Sequence, residues 1–207
     1  MSEASFSDPE LPLFPLGTVL FPEGLLELKV FEARYLDLIS HCLRERAPFG
    51  VVALRRGSEA RNSAESVELY DAGTEAELID VDSAQAGILL VRCRGGARFT
   101  LGATWQQKDG LWRGETTPVA ADVPTAPASH HADIVRDLGA AIATIEAQGA
   151  RPFLEPHRLD DAGWVANRWC EILPLPIEAK QRLLMLADPL ARLDIVESLM
   201  RVRDETH

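Results

Sequence analysis

The chain has 207 residues, 46% of them hydrophobic and 26% charged, and a formal net charge of -11. That is enough chain to bury a core without disulfides or metals, and no apolar run approaches the ~20 residues needed to span a bilayer. Both halves carry more acids than bases, so the mean field repels a polyanion such as nucleic acid. From Leu11 to Leu54 the chain reads as strand, turn, strand, helix, strand. Pro12 and Pro15, set among alternating apolar residues, predict an edge strand whose amides need no partner. Gly17 allows a turn, Val19-Leu20-Phe21 resumes the apolar run, and Pro22-Glu23-Gly24 punctuates it. Leu26, Leu28 and Val30 alternate with Glu27 and Lys29, the period of a half-buried strand. Phe31, Tyr35, Leu38, Ile39, Cys42 and Leu43 then share one helical face. Glu32 falls in the first turn, where the helix dipole favours an acid, and Arg34 falls largely off the apolar face. Pro48 ends the helix and Phe49 to Leu54 reads as a buried strand.

The polar segment after Leu54, which carries Arg55, Arg56 and Arg61, predicts an exposed loop. Glu65 to Asp82 is acidic with interleaved apolar residues and reads as a strand. Asp80 to Gly87 predicts a turn into a central strand at Ile88 to Val91. Gly95-Gly96, flanked by Arg92, Arg94 and Arg98, predicts a basic turn before Phe99. Trp105 and Trp112 bracket Lys108-Asp109-Gly110, a hairpin signature. Ala120 to His131 is rich in Pro and Ala and reads as a linker, placing one lobe at 1–125 and a second at 126–207. Beyond it the period is helical. Ile134, Leu138, Ile142 and Ile145 form one face, with Gly149 as a stop. Asp160 or Asp161 caps a helix carrying Val165, Trp169 and Ile172, ended by Pro174. A third helix begins near Pro176, and Asp188-Pro189 opens a fourth.

PLGTVLFPEGLLELKVFEARY, followed by a helix and FGVVAL, resembles the start of the amino-terminal substrate-binding domain of Lon-type ATP-dependent proteases. Ala72-Gly73-Thr74 with Ala76 and Ile79, the Gly96/Arg98-Phe99 segment and LPLPIEAKQRLLMLADPLARLDIVESL continue the likeness, which spans Leu11 to Leu199. The resemblance implies an α+β fold. An amino-terminal, mostly antiparallel barrel of the PUA-like (pseudouridine-synthase-and-archaeosine-transglycosylase) type, with one inserted helix, precedes a helical bundle. It also implies a non-enzymatic module that binds unfolded or extended polypeptide, as an adaptor or modulator of proteolysis, without cofactor. Such a module recognises peptide through an apolar groove or an added strand. The candidate contacts are Trp105 and Trp112 at the hairpin and the Pro12/Pro15 edge.

The lysines are Lys29, Lys108 and Lys180, and none follows a glycine, so no Walker A loop exists here. No segment remains after the helical lobe for a Ser-Lys peptidase. Gly-x-Ser-x-Gly, His-Glu-x-x-His and Cys-x-x-Cys are also missing. Cys42, Cys93 and Cys170 are odd in number and far apart, which reads as buried thiols in a reducing compartment. The first ten residues, acidic and polar, are unlike a secretory leader, and the expected location is cytoplasmic, with no membrane contact. His130-His131 reads as a solvent-exposed helix start and His41-Cys42 as surface histidine beside core cysteine. Asp80 and Asp82 begin like a calcium loop that Ala84 breaks, so no metal site is expected. Two other functions compete with peptide binding. An RNA-binding PUA-like protein would gather Arg55, Arg56, Arg61, Arg92, Arg94 and Arg98 into one positive face. An enzyme would need a pocket of convergent titratable groups, for which the sequence names no candidates.

Overall fold

The computed structural model describes residues 10–57 and 67–204. Six strands come first: β1 (Glu10–Leu16), β2 (Leu25–Val30), β3 (Phe49–Arg56), β4 (Glu68–Gln85), β5 (Ile88–Gln106) and β6 (Trp112–Pro118), with helix α1 (Ala33–Glu45) between β2 and β3. A short 3-10 turn at Ser129–His131 leads into α2 (Ala132–Ala147), α3 (Ala162–Ile172), α4 (Ile177–Met185) and α5 (Pro189–Asp204). Arg61, the nine amino-terminal residues up to Pro9 and most of the polar segment after Arg56 lie outside the described residues.

The strands form one mixed sheet in the order β2-β5-β4-β3-β1-β6, with β6 also pairing β5. Only β1 and β3 run parallel; the other ladders are antiparallel. The sheet therefore curls strongly, but it is a mixed sheet rather than the closed barrel that the resemblance implies. Among the described residues β2 pairs with β5 alone and keeps its other edge open, and the β5–β6 ladder slips between Leu101 and Thr104.

β1 is not the edge strand that its prolines predict. Its first half, Glu10 to Leu13, pairs with β6, and its second half, Leu13 to Leu16, pairs with β3. Each ladder covers half the strand, so Pro12 and Pro15 each have a neighbour on one side only, and a missing N–H is tolerated on the other. Two further turns also turn out to be strand. β4 continues through Asp80 and Asp82 to Gln85, and the reversal is at Ala86-Gly87, where Gly87 takes φ 79°. β5 runs unbroken through Gly95-Gly96. The glycine is needed there for close approach, not for a turn. A Cβ on Gly95 would lie 2.0 Å from the Phe21 carbonyl oxygen. The Pro22-Glu23-Gly24 turn docks against this bare stretch, with Glu23 N donating to Gly95 O (2.7 Å) and Gly95 N donating to Gly24 O (2.9 Å). Gly95→Ala is expected to lower stability by about 1–3 kcal/mol, read as a fall in the denaturation midpoint, because the turn must lift off β5.

Helix α1 buries Tyr35, Leu38, Ile39 and Cys42 as its period predicts. Phe31 and Leu43 are exposed instead, and Arg34 is buried. The Arg34 Nη1 donates to Gly110 O at the β5–β6 hairpin tip (2.8 Å) and Nη2 pairs with Glu32 (2.8 Å), so α1 is clamped to the hairpin. These α1 residues pack with Phe14, Phe49, Val91 and Cys93 in one core. A second core fills the helical half and draws in Val19, Phe21 and Ala53 from the amino-terminal half. Asp161 caps α3, accepting from Gly163 N (2.9 Å) and Trp164 N (3.3 Å), and Asp188 Oδ1 caps α5, accepting from Leu190 N and Ala191 N. Trp169 is core, its Nε1 donating to Ile134 O.

The connector is pinned in place. Thr125 O accepts from Ala162 N (2.8 Å), and Asp122 lies between two buried guanidiniums. Arg98 Nη2 reaches Asp122 Oδ1 (2.7 Å) and Ala120 O (2.8 Å), while its Nη1 reaches Leu184 O (2.8 Å). Arg192 Nη1 meets Asp122 Oδ2 (2.6 Å) and Asn167 Oδ1 (3.1 Å), and its Nη2 donates to Leu186 O. Three arginines with almost no exposure, Arg98, Arg168 and Arg192, thus tie the sheet, the connector and the helices together.

Candidate binding cleft

The four residues proposed from the sequence do not form one surface. Cross-strand partners share a face of the sheet. Trp105 stands opposite Arg113, which stands opposite Pro12, so these three make one half-buried row across β5, β6 and β1. Trp112 stands between Gln106 and Leu13 on the other face and packs against Leu11, Leu13, Val52 and Phe99. Pro15 is buried within β1. β1 offers no continuous open edge for strand addition, because β6 holds Glu10 to Leu13 and β3 holds Leu13 to Leu16.

Among the described residues a concavity lies elsewhere, between the sheet and α4. It is a cleft of about 540 Å³. Arg55, Tyr70, Asp71, Ala72 and Thr100 line it from β3, β4 and β5, and Glu178, Gln181, Arg182 and Met185 line it from α4. The volume is in the range of small ligand and peptide side-chain sites. Its charges alternate in sign. Arg55 lies over the Tyr70 ring (4.8 Å) and 3.8 Å from Asp71, and Arg182 reaches Glu178 at 2.6 Å. Tyr70, Ala72 and Met185 supply the apolar wall. Nothing in the sequence marked the α4 side, where Glu178, Gln181 and Arg182 carry no binding signature of their own.

The arginines considered for an RNA surface are dispersed among acids. Arg56 lies 3.9 Å from Glu68, Arg92 3.4 Å from Glu27, and Arg94 stands across from Glu77. Arg98 is spent inside the connector lock. This is the scattered, paired arrangement that does not support a phosphate-binding face.

The three cysteines and the His130-His131 pair are occupied or inert. Burial pushes the Cys42 thiol up to about 11 and the Cys93 and Cys170 thiols up to about 12, so none offers a thiolate near neutrality. His41 is exposed while Cys42 is buried, as the helical spacing predicts. His131, expected in solvent, is fully buried. The Nε2 atoms of His130 and His131 both meet Asp194 Oδ1, at 3.0 and 2.7 Å, and hydrogen bonds from the two rings hold the Asp194 carboxyl below its usual range. Three ligand-type groups converge here. The Ala128 amide donates to His131 Nδ1 (3.2 Å), which keeps the ring proton on Nε2, the atom a metal would need bare. The cluster is a hydrogen-bonded clasp between the start of α2 and α5.

A family model described as the ATP-dependent protease La (LON) substrate-binding domain matches residues 10–202. The Lon protease of Anaeromyxobacter dehalogenans is 27% identical over 201 residues, which cover 94% of this chain and 23% of that protein. Lon protease 2 of Myxococcus xanthus is 27% identical over 204 residues, 94% of this chain and 24% of that protein. The chain thus spans about a quarter of the length of these relatives. Among solved structures, a Lon N-terminal domain protein from Xanthomonas campestris superposes with a TM-score of 0.70 at 30% identity, covering 91% of this chain and 97% of that one. The N-terminal domain of the Mycobacterium avium complex Lon protease gives a TM-score of 0.61 at 17% identity, covering 90% and 95%, a likeness of fold alone. All of these matches fall on the substrate-binding domain and none on an ATPase or peptidase module. No described helix is long and apolar enough to cross a membrane.

Proposed function

Because the chain belongs to the Lon substrate-binding domain family, we propose that it is a non-enzymatic module that holds unfolded or extended polypeptide for a cytoplasmic proteolytic system, as adaptor or modulator. The family match over residues 10–202 carries this reading. We assign the contact to the cleft between β3–β5 and α4. Its apolar wall accepts a side chain, and its paired charges of both signs suit a polypeptide better than a polyanion. Affinity in such a site comes mainly from buried apolar area, with hydrogen bonds fixing orientation.

The test is fluorescence anisotropy of a labelled, reduced and carboxymethylated model protein. Binding is expected to change little between low and moderate salt. Met185→Glu, which sets a charge in the apolar wall without emptying the core, is expected to weaken it roughly tenfold. Trp105→Ala is expected to leave it unchanged. If Trp105→Ala weakens binding and Met185→Glu does not, the contact lies on the Trp105–Pro12 row. RNA binding that falls steeply with salt, with no polypeptide bound, would reject peptide recognition altogether.

A further inference from the structure

The open edge of β2 has a pattern that no feature of the fold uses. Among the described residues β5 is its only strand partner, and no other hydrogen bond engages its backbone. Natural sheets cover, shorten or charge such an edge to stop it pairing with another chain. Here the charges do something more specific. Glu27 and Lys29 are both exposed on one face of the strand, two residues apart, with Leu28 between them on the other face. At the end of the strand Phe31 is 63% exposed, on the same pleat side as Glu27 and Lys29.

We propose that the β2 edge is a self-association surface, pairing antiparallel with β2 of a second copy of this chain about a two-fold axis through Leu28. In that register Glu27 lies opposite the partner's Lys29, and Lys29 opposite the partner's Glu27. Leu26 meets the partner's Val30 on the buried face, and Leu25 meets the partner's Phe31 on the outer face. Every pair is either opposite in charge or apolar on both sides. Neighbouring registers fail. An axis through Glu27 or Lys29 brings like charges face to face, and a one-residue slip turns the apolar and charged sets against each other. The outer face reinforces the arrangement, because Arg92 on β5 already pairs with Glu27 at 3.4 Å. Glu27 then sits between two cations, Arg92 of its own chain and the partner's Lys29. The result is an isologous interface, the kind a two-fold dimer requires. It is independent of the cleft, which lies on β3–β5 and α4.

Sedimentation equilibrium of the full chain over a wide concentration range tests the proposal. Wild type is expected to form a reversible dimer that dissociates on dilution. Lys29→Glu sets Glu27 against a glutamate in both halves of the interface, and Glu27→Lys sets Lys29 against a lysine. Each is expected to weaken the dimer about tenfold or more, with the circular dichroism spectrum unchanged. An equal mixture of the two variants restores opposite charges at both contacts and is expected to dimerise like wild type. That recovery distinguishes pairing in this register from a general loss of fold. A chain monomeric at every concentration, variants that dimerise as tightly as wild type, or a mixture that stays monomeric would each overturn the proposal. So would a peptide that docks along a strictly monomeric β2.

Discussion

Asp122→Ala is expected to cost about 3–5 kcal/mol, a large share of the ~5–15 kcal/mol by which a domain of this size is stable. The carboxylate bridges two guanidiniums, Arg98 and Arg192, that are 3% and 1% exposed. Without it both cations remain buried with only neutral acceptors, and each keeps the cost of having left water. Burial already lowers the Arg98 pKa, Asp122 opposes that shift, and Arg192 adds to it, so the site is under electrostatic load before the substitution. Asp122→Asn keeps the shape and part of the hydrogen bonding and is expected to cost less. Urea denaturation gives the comparison directly. If both variants match wild type, water reaches the two arginines and the lock is not closed.

Arg168→Ala is expected to be comparably severe, about 3–5 kcal/mol. This side chain has no exposure, lies 5.5 Å from each of the Phe153 and Trp164 ring centres, and donates to Glu23 O (2.7 Å), Pro22 O (2.8 Å) and Glu171 Oε1 (2.8 Å). It holds the turn that rests on Gly95. Arg168→Lys is expected to recover little, because one ammonium cannot span two carbonyls and a carboxylate held by a planar fork. Glu171 adds a pH signature. Burial raises its pKa to about 7 from an ordinary 4.5, against the pull of Arg168 and Lys180. A folded-state pKa above the unfolded one means that the native state binds the proton more tightly. Its contribution to stability is therefore fully present below about 4.5 and is lost as pH rises through about 7. Glu171→Gln is expected to flatten the stability profile across that window. An unchanged profile would place the ionised carboxylate in the native state throughout.

These two locks were the least legible part of the sequence. A charge-and-period reading places arginines on surfaces, and Arg98 looked like part of a basic turn. Its burial depends on partners far along the chain, and Asp122 and Arg192 are 70 residues apart. Gly95-Gly96 misled for the same reason. Glycine marks turns locally, whereas this glycine answers a segment that comes some seventy residues earlier in the chain. Local signals served well where local physics decides. The α1 stripe was right at Tyr35, Leu38, Ile39 and Cys42. It was wrong at Phe31, which precedes the Glu32 cap and is not helical, and at Leu43, one step of about 100° beyond Cys42. The caps at Asp161 and Asp188 and the Asp-Gly hairpin needed only their own few residues. The cleft was invisible because its two walls are joined only by tertiary packing.

The split pairing of β1 also bears on how the chain comes to be folded. Arg113 reaches back to Glu10 across a separation of 103 residues, and the β1–β6 ladder closes over that span. Closing so long a loop costs chain entropy before any contact repays it, and folds dominated by distant pairings form slowly. As the chain leaves the ribosome, β1 can meet β3 early but must wait for β6. Val19, Phe21 and Ala53 must wait longer still, for helices that are made after the whole sheet. For that interval an apolar strand and part of a core are exposed, the condition in which nascent chains aggregate or engage chaperones. On the function proposed above, a module that holds other unfolded chains passes through a comparable state during its own synthesis.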